Sequence, residues 1–579
     1  MTPDSITTEV IRNALAAAAR EMNRTLVRTA FNPLLYEVQD FGLGIVSSEG
    51  RLWAEAPGIA GFISALSDTV RSGLAKIGPD GYHDGDVLIV NDPYLTGTHI
   101  SDTSVYAPIF SGGELVAFAI VTAHWADIGG KQPSGWSPDT TDVYQEGMCF
   151  THQRLFAAGE PSVDLFDLIE SNVRYPRIVR GDLDAQIAAC RQGVARVLTL
   201  CERYGAHVVV EAMDDVIART DAAMRRRIAD LPDGTYEASL RFDGDGVDPD
   251  AAPVVCVQVR VDGDRLRISY DGTTPAALGP INDPGADCDV RCAVKGLLAP
   301  FDVGNEGHVM AIDFDVPPGL LVSPERPSPV DSYGYVGVAL IELVIRAMSR
   351  VIPDRCPAGG YQIFGVDLFR TDPGEGEPFV LSDLHDGGAG GRPMRDGPVL
   401  VFAGDGDTRN TPAEVIETRF PLRMQRHALL PEHAGAGRRR GGAGVARDFR
   451  MLGSGVRMQF TTENVRDTLA KGLHGGADGL PGVLVVHPGS DREEIVRDRV
   501  TEYWPFEPGD VISVRSGGGG GWGDPRDREP EQVATDVLDG NVTPEQARHI
   551  YRVALERSGR AWLVDVDATA RLRSRPTSS

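Results

Sequence analysis

The chain has 579 residues, of which 42% are hydrophobic and 24% charged, a composition that supports packed cores and more than one domain. Its formal net charge of −26 does not provide the basic surface that duplex nucleic acid or an anionic membrane requires, so we expect neither partner. The start has no basic and apolar leader, no run of about 18 apolar residues occurs, and the cysteines are scattered, so we expect a cytoplasmic protein with reduced thiols.

Apolar periodicity predicts the secondary structure of the first part of the chain. One helical stripe covers residues 11–26 and a second covers 63–77, where Gly78 and Pro79 end it. Short strands are predicted at 87–90, 105–110 and 115–123, and helical sequence dominates again from about 183 to 231.

Beyond residue 233 the pattern changes towards strands. A hairpin is predicted from 254 to 270, a core helix at 336–352, a glycine-rich, strand-rich region at 401–520, and helices at the end, with a capping box at Thr543. We therefore predict a mixed α/β (α+β) multidomain fold with Gly-rich loops. Its domains would be an N-terminal α/β domain at 1–232 that carries the functional site, a strand-rich middle domain at 233–400, and a C-terminal β-rich domain at 401–579 that ends in helices.

The most informative segment is 91–130, NDPYLTGTHISDTSVYAPIFSGGELVAFAIVTAHWADIGG. Two apolar runs flank an SGGE turn, which predicts a β-hairpin. If Phe110 pairs with Leu115, then Asp102 and His124 become cross-strand neighbours about 5 Å apart at the open end. His99 lies in the loop just before the first strand.

Two imidazoles and a carboxylate at one strand end can hold a divalent transition metal with open positions for water. Such a site suits metal-activated hydroxide, because a bound water loses its proton near neutral pH. The spacing has a structural alternative as well, since Asp102 could cap a turn and His99 could hydrogen-bond within a Gly-rich loop. The residues alone leave both interpretations open.

Several strings resemble the hydantoinase B/oxoprolinase family, which includes subunits of acetone and acetophenone carboxylases. The segment above carries NDPY, GTH-x-x-D and HW-x-DIGG. Other matching strings are YEVQDFG (36–42), EGRLWAE (49–55), YQEG (144–147), RRRGGAG (438–444) and SGGGGGWGDP (516–525). They follow the family's order over nearly the whole chain.

The resemblance implies a zinc or manganese ion held by His99, Asp102 and His124, with Asp40 as a fourth ligand. From the residues alone, Asp40 would be an N-cap or turn aspartate. We interpret Asp127 as a catalytic carboxylate, either a general base or a group that orients an imidazole, with a turn residue as the alternative. Many hydantoinase-type members have a second histidine where this chain has Trp125, so the resemblance does not define the substrate.

The resemblance also implies a division of labour between subunits. A hydantoinase A-like partner would bind ATP and phosphorylate the carbonyl of a lactam, hydantoin or oxoproline-type ring, and metal hydroxide in this chain would then open the ring. No P-loop or dinucleotide-binding glycine pattern occurs in the sequence, which agrees with ATP binding by the partner of a hetero-oligomer. The run 517–521 is predicted to form a tight turn or interface loop.

Three other functions fit the sequence. A ketone carboxylase of the acetone or acetophenone type would use the same metal site, usually with a third small subunit. A non-catalytic scaffold for the ATP-using subunit predicts that His124→Ala leaves activity intact and that no stoichiometric metal co-purifies. A stand-alone metallohydrolase predicts turnover without ATP or a partner.

Overall fold

In a computed structural model, the described residues are 3–248, 250–363, 365–402, 404, 406, 408–497 and 500–574, and from 500 to 505 only the backbone is described. Across these ranges the chain forms helices and five mostly antiparallel β-sheets, which confirms the predicted mixed α/β multidomain class. None of the helices in these ranges has the length and apolar character needed to cross a bilayer.

The first sheet has the strand order β2-β1-β5-β4-β3-β6-β7. Its central strands are apolar on both faces, so both faces must be covered by helices. The strands are β1 Phe41–Ser47, β2 Leu52–Glu55, β3 Val87–Val90, β4 Asp102–Ser111, β5 Glu114–His124, β6 Thr151–Ala157 and β7 Glu160–Pro161.

Helices cover this sheet on both sides. Ala107 and Ala119 belong to the buried cluster that includes the apolar stripes of α1, α5 and α6, whereas Tyr106 and Phe118 face α2 on the other side. The two predicted N-terminal stripes lie within α1 and α2, and the long predicted helical region divides into α5 and α6 at Gly205. The helices are α1 Ser5–Thr29, α2 Ala60–Ile77, α3 Pro93–Thr96, α4 Val163–Ser171, α5 Pro176–Tyr204 and α6 Ala206–Ala229.

The second sheet has the order β11-β10-β9-β8 and packs on an apolar helix, α8, that is buried almost all round. The predicted hairpin is confirmed: Asp262 pairs with Arg265, and Gly263 adopts a φ of 63° in the tight turn between them. The elements are β8 Gly234–Arg241, β9 Val254–Asp262, β10 Arg265–Ser269, β11 Ile312–Asp315, α7 Ala286–Leu298 and α8 Gly334–Met348.

Three further sheets follow, with the orders β13-β12-β16-β19, β14-β15-β20-β17-β18 and β21-β22. The first of them takes β12 and β13 from before residue 400 and β16 and β19 from after it, so the predicted middle and C-terminal domains share a sheet. The three-domain division stays a prediction. The strands are β12 Gly365–Arg370, β13 Phe379–Leu384, β14 Leu422–Leu430, β15 Gly444–Met451, β16 Val456–Thr461, β17 Val483–Val486, β18 Glu494–Val496, β19 Val500–Phe506, β20 Val511–Arg515, β21 Leu555–Ser558 and β22 Ala561–Val564. The helices are α9 Ala413–Arg419, α10 Pro530–Leu538, α11 Pro544–His549 and α12 Val566–Arg573.

The glycine run 517–521 is buried, follows β20 without belonging to a named strand, and does not form the predicted turn, whereas its role as an interface loop stays a prediction. Its backbone hydrogen-bonds in several directions, to Gly359, Gly391, Gly435 and Gly442 among others. We call this arrangement of glycine-rich segments the glycine lattice. A Cβ atom on Gly519 would lie 1.9 Å from the carbonyl oxygen of Ala389, so only glycine permits this approach of backbones.

Candidate metal centre

The β4–β5 hairpin brings the predicted ligands together. Asp102 pairs with His124, and Phe110 with Leu115, in the register predicted from the sequence. His99 lies in the loop between α3 and β4, and its carbonyl accepts a hydrogen bond from the backbone N–H of Asp102 at 3.1 Å. The three functional side chains therefore emerge at one end of the first sheet.

His99, Asp102 and His124 form a compact buried triad. Asp102 Oδ1 lies 3.1 Å from His99 Nε2 and 3.0 Å from His124 Nδ1, and the two ring nitrogens are 3.1 Å apart. All three side chains are at least 97% buried. Among the described residues, this is the group of metal-ligating side chains whose donor atoms lie close enough together to hold one ion.

Each imidazole has one nitrogen that faces the triad and one that faces away from it. When the nitrogen that faces away donates a hydrogen bond, the nitrogen of a neutral ring that faces the triad is an acceptor. His99 Nδ1 donates to the carbonyl of Asp331 at 3.0 Å, and His124 Nε2 donates to the carbonyl of Ser134 at 2.7 Å, because a carbonyl oxygen can only accept. In the neutral rings, His99 Nε2 and His124 Nδ1 then direct lone pairs at Asp102 Oδ1. Three acceptors at hydrogen-bond distance repel one another unless a proton or a metal cation lies among them, so the geometry of the triad fits a metal ion as well as a protonated imidazole.

The electrostatics of the triad favour positive charge. Burial opposes a charged His99, yet Asp102 and Asp331 together raise its pKa well above the usual value. Burial likewise opposes a charged His124, and the hydrogen bond to Asp102 and the charge of Asp40 raise its pKa. Burial alone would raise the pKa of Asp102, but the two histidines hold it at about 2.

Asp40 lies beside the triad at the start of β1. Its carbonyl accepts a hydrogen bond from the backbone N–H of His124 at 3.2 Å, and burial, with smaller effects from the triad, raises the pKa of its carboxyl to about 6. It does not belong to the group whose ligand atoms lie within 4.8 Å of one another. Its role as a fourth ligand stays a prediction.

Asp127 is fully buried, but its described contacts are with other parts of the loop. Its carboxylate accepts hydrogen bonds from the guanidinium of Arg174 at 2.7 Å, from the backbone N–H of the same residue, and from that of Gly129 at 3.1 Å. These bonds tie the loop after β5 to the start of α5, and the catalytic role of Asp127 stays a prediction. Trp125 points into the core, where its indole N–H donates to Gln186 at 2.8 Å.

Residues far away in sequence complete the surroundings of the triad. The Tyr333 hydroxyl donates to Asp102 Oδ2 at 3.1 Å, and the ring of Tyr333 stacks on Trp136 at 6.4 Å. Trp136 also meets the His99 ring edge to face at 5.4 Å. Nothing in the spacing of the sequence connects these aromatic residues to the hairpin, so sequence reasoning missed them.

Glu146 fixes the segment that supports His99. Its Oε1 accepts hydrogen bonds from the backbone N–H groups of Val330 at 2.8 Å and Asp331 at 3.0 Å, and from the hydroxyl of Thr140 at 2.9 Å. Burial and the nearby Asp331 raise the pKa of Glu146 well above its usual value. The YQEG string contained this residue, although nothing in the sequence gave it a function.

The sheet β13-β12-β16-β19 supports the loop that holds His124. Gln459 on β16 donates to the carbonyl of Gly135 at 2.6 Å and to Asp367 on β12 at 3.0 Å. Ser134, next in the chain, adopts a φ of 72°, which is uncommon for a residue other than glycine. This strained loop is therefore held from the side of the C-terminal half, and the surroundings of the candidate metal centre include residues from all three predicted domains.

The chain combines a mixed α/β multidomain fold with a buried triad of two histidines and one aspartate. This combination makes it a candidate member of the class of metal-dependent proteins. The Hydantoinase B/oxoprolinase family model matches residues 4–525, and the chain belongs to this family. It is 31% identical to the putative B subunit of a D-/L-hydantoinase from Pseudomonas sp. (strain NS671), over 98% of each chain.

Two solved structures share the fold. The ATP-dependent caprolactamase from Pseudomonas jessenii superposes with a TM-score of 0.91 at 27% identity, over 99% of this chain and 100% of that one. An acetone carboxylase solved without nucleotide superposes with a TM-score of 0.89 at 19% identity, over 98% of this chain and 82% of the other. The second likeness concerns the fold alone.

Proposed function

We propose that this chain is the metal-binding subunit of an ATP-dependent hydrolase that opens cyclic amides such as lactams or hydantoins, as part of a hetero-oligomer. The observation that carries the proposal is the convergence of three buried acceptor atoms, from His99, Asp102 and His124, at distances of 3.0–3.1 Å. Without a cation among them, either a metal ion or a ring proton, these three buried groups would repel one another.

The donor set fits zinc or manganese, because imidazole and carboxylate suit both ions. His99, Asp102 and His124 would hold the ion, and Asp40 would be a fourth ligand. A bound divalent cation supplies Lewis acidity, which lowers the pKa of water and polarises a carbonyl oxygen.

The chain's own residues have distinct roles in this proposal. The carbonyls of Asp331 and Ser134 keep each imidazole in the orientation that presents a lone pair to the ion. Tyr333 neutralises part of the charge on the second oxygen of Asp102. Burial of the triad keeps bulk water away from an activated substrate. Asp127 would either order the loop after β5 or act as a general base.

ATP enters the proposal through a partner. An unstrained amide is a poor electrophile, and phosphorylation of its carbonyl oxygen supplies a leaving group before water attacks. Two relatives support this division: one is named as the B subunit of a hydantoinase and another as an ATP-dependent caprolactamase. The ATP-using subunit, the particular ring and the cytoplasmic location are parts of the proposal.

Metal analysis by mass spectrometry tests the proposal first. The wild-type chain, prepared without chelators, should contain about one zinc or manganese ion per chain, and His99→Ala/His124→Ala should lose it. His549→Ala, an exposed histidine on α11, is the matched control and should keep the metal. A metal-free wild type would refute the metal chemistry and favour the scaffold.

Activity measurements then separate the alternatives. Ring opening of a lactam or hydantoin should require this chain, an ATP-using partner and ATP together. Turnover by this chain without ATP would support the stand-alone metallohydrolase. Bicarbonate-dependent consumption of a ketone would support the carboxylase.

A further inference from the structure

A cavity of about 710 Å³ is lined in part by Arg174, the residue that pairs with Asp127. Its walls come from residues 31–36, from 174–178 at the start of α5, from 377–380 at the start of β13, and from 418–421 after α9. We call it the arginine cavity. Its volume is in the range of sites that take small organic ligands.

The arginine cavity is basic in a strongly acidic protein. The chain has a net charge of −26, yet this cavity is lined by four arginines, and among the described lining residues Glu377 is the single acid. One of the four, Arg174, pairs with Asp127 at 2.7 Å. The guanidinium of Arg370 donates to the carbonyls of Ser454 and Glu377, which leaves its charge without a carboxylate partner in these contacts.

The other two arginines that line the cavity are Arg177 and Arg419. Arg177 and Arg419 are exposed, and neither forms an ion pair with another residue in the described part of the chain. Burial raises the pKa of Tyr36, and the nearby charge of Arg419 opposes that rise. Planar guanidinium groups bind phosphate oxygens in pairs, so two such groups at one cavity suit a phosphate.

Aromatic side chains and the N-terminal end of a helix also form part of the cavity wall. Phe31, Tyr175, Phe379 and Phe420 line it, which provides apolar surface for the organic part of a ligand. The 29-residue helix α5 begins at its wall, and the partial positive charge of that helix end adds to the field of the arginines.

The cavity adjoins the structure that holds the metal ligands. Tyr175 and Val380, which line it, pack against Ala126 in one buried cluster. The carbonyl of Ala126 accepts a hydrogen bond from Ser134 at 2.8 Å, and the carbonyl of Ser134 holds His124 at 2.7 Å. A ligand in the cavity would therefore lie against the same loop as the candidate metal centre.

We propose that the arginine cavity binds an organic phosphate, with Arg177 and Arg419 on the phosphate group and the aromatic side chains on the organic part. In the proposed function, this cavity would bind the phosphorylated ring before the ring is opened, and this role rests on that proposed function. The binding of an organic phosphate does not rest on it. Phosphorylation in a partner would create the chemical group that this cavity recognises.

Calorimetric titration of the full chain with phenyl phosphate and with inorganic phosphate tests the proposal. Phenyl phosphate should bind more tightly than inorganic phosphate, and Arg177→Gln/Arg419→Gln should weaken its binding about tenfold or more. Arg423→Gln, on the exposed face of β14, is the matched control and should bind as the wild type does. Unfolding curves of all variants should coincide, because the exchanged side chains are exposed.

His124→Ala separates this proposal from the metal chemistry. We expect this variant to lose the metal and to bind phenyl phosphate with unchanged affinity. Phosphate binding would then not depend on the metal, and a wild-type chain without metal would leave the cavity proposal standing. Equal affinity of wild type and Arg177→Gln/Arg419→Gln, or the absence of saturable phenyl phosphate binding, would overturn it. If His124→Ala lost phenyl phosphate binding while Arg177→Gln/Arg419→Gln kept it, the anion would bind at the metal. That result would overturn the cavity proposal as well.

Discussion

Glu146 offers a direct test of how the candidate metal centre is assembled, because its described hydrogen bonds go to neither histidine. Its Oε1 holds the backbone N–H groups of Val330 and Asp331, and the carbonyl of Asp331 orients His99. In Glu146→Ala both N–H groups lose their acceptor within a buried region. We expect the segment to shift and the orientation of His99 to become less well defined.

The size of the effect follows from these bonds. A buried donor left without an acceptor costs about 1–3 kcal/mol, so the two backbone donors together cost about 2–6 kcal/mol of folding free energy, and the Thr140 hydroxyl loses its acceptor as well. Loss of a group that orients a metal ligand typically weakens metal binding by about 10- to 100-fold. Glu146→Gln keeps an oxygen in place of Oε1 and should lose much less of both.

Competition with a chromogenic chelator measures the metal affinity, and urea unfolding measures the stability. The expected order of metal affinity is wild type, then Glu146→Gln, then Glu146→Ala. Wild-type metal affinity in Glu146→Ala, or equal damage in the two variants, would refute the role assigned to the Glu146 oxygen.

Three further predictions follow. Asp102→Asn should weaken metal binding by more than the roughly 10- to 100-fold typical of outer groups, because a neutral amide replaces a charged ligand; the chelator assay measures this. Burial raises the pKa of Asp182 to about 7 in the folded chain, against about 3.9 when unfolded, so the folded state holds an extra proton between these values. Stability should therefore fall as pH rises from about 4 to about 7, by up to about 4 kcal/mol, and Asp182→Asn should flatten this part of the profile in urea unfolding. Gly519→Ala should destabilise the chain by about 3 kcal/mol or more, because its Cβ would overlap the carbonyl of Ala389, and thermal unfolding measures the loss.

Each of these predictions has an outcome that would contradict it. Both hydrogen bonds to Asp182, from Phe31 and Asn32, use Oδ1, so asparagine can keep them, and a profile equally steep in Asp182→Asn would contradict the assignment. A methyl group on Gly296 of α7 would meet no atom within 4 Å, so Gly296→Ala should be neutral or slightly stabilising. Equal loss in Gly296→Ala and Gly519→Ala would contradict the steric argument. For Asp102→Asn, unchanged metal affinity would remove Asp102 from the ligand set.

Local patterns predicted the centre of the site well. The two apolar runs and the SGGE turn defined the β4–β5 register, and the register places Asp102 opposite His124. The capping box was equally readable, since Thr543 and Gln546 exchange hydrogen bonds at the start of α11. Both features depend on residues close together in sequence, where period and turn chemistry determine the geometry.

The surroundings of the triad could not be predicted in this way. Asp331 lies 232 positions from His99, and Gln459 lies 324 positions from Gly135, so only the tertiary fold brings them together. The turn predicted for the glycine run does not form, for a related reason. A glycine-rich stretch is typical of turns and loops, and its burial among other glycine-rich segments depends on neighbours that the local pattern does not identify.

The glycine lattice has a consequence for the order in which the chain can fold. The segments around Gly359, Gly391 and Gly442 are synthesised before the run 517–521, yet each of them hydrogen-bonds to it. Until that run emerges, the slot that it fills is lined with backbone groups whose partners are missing, and water must occupy their place. A chain that stopped before Gly517 would keep this slot open, so the C-terminal half becomes complete only when a segment near the end of the chain is inserted.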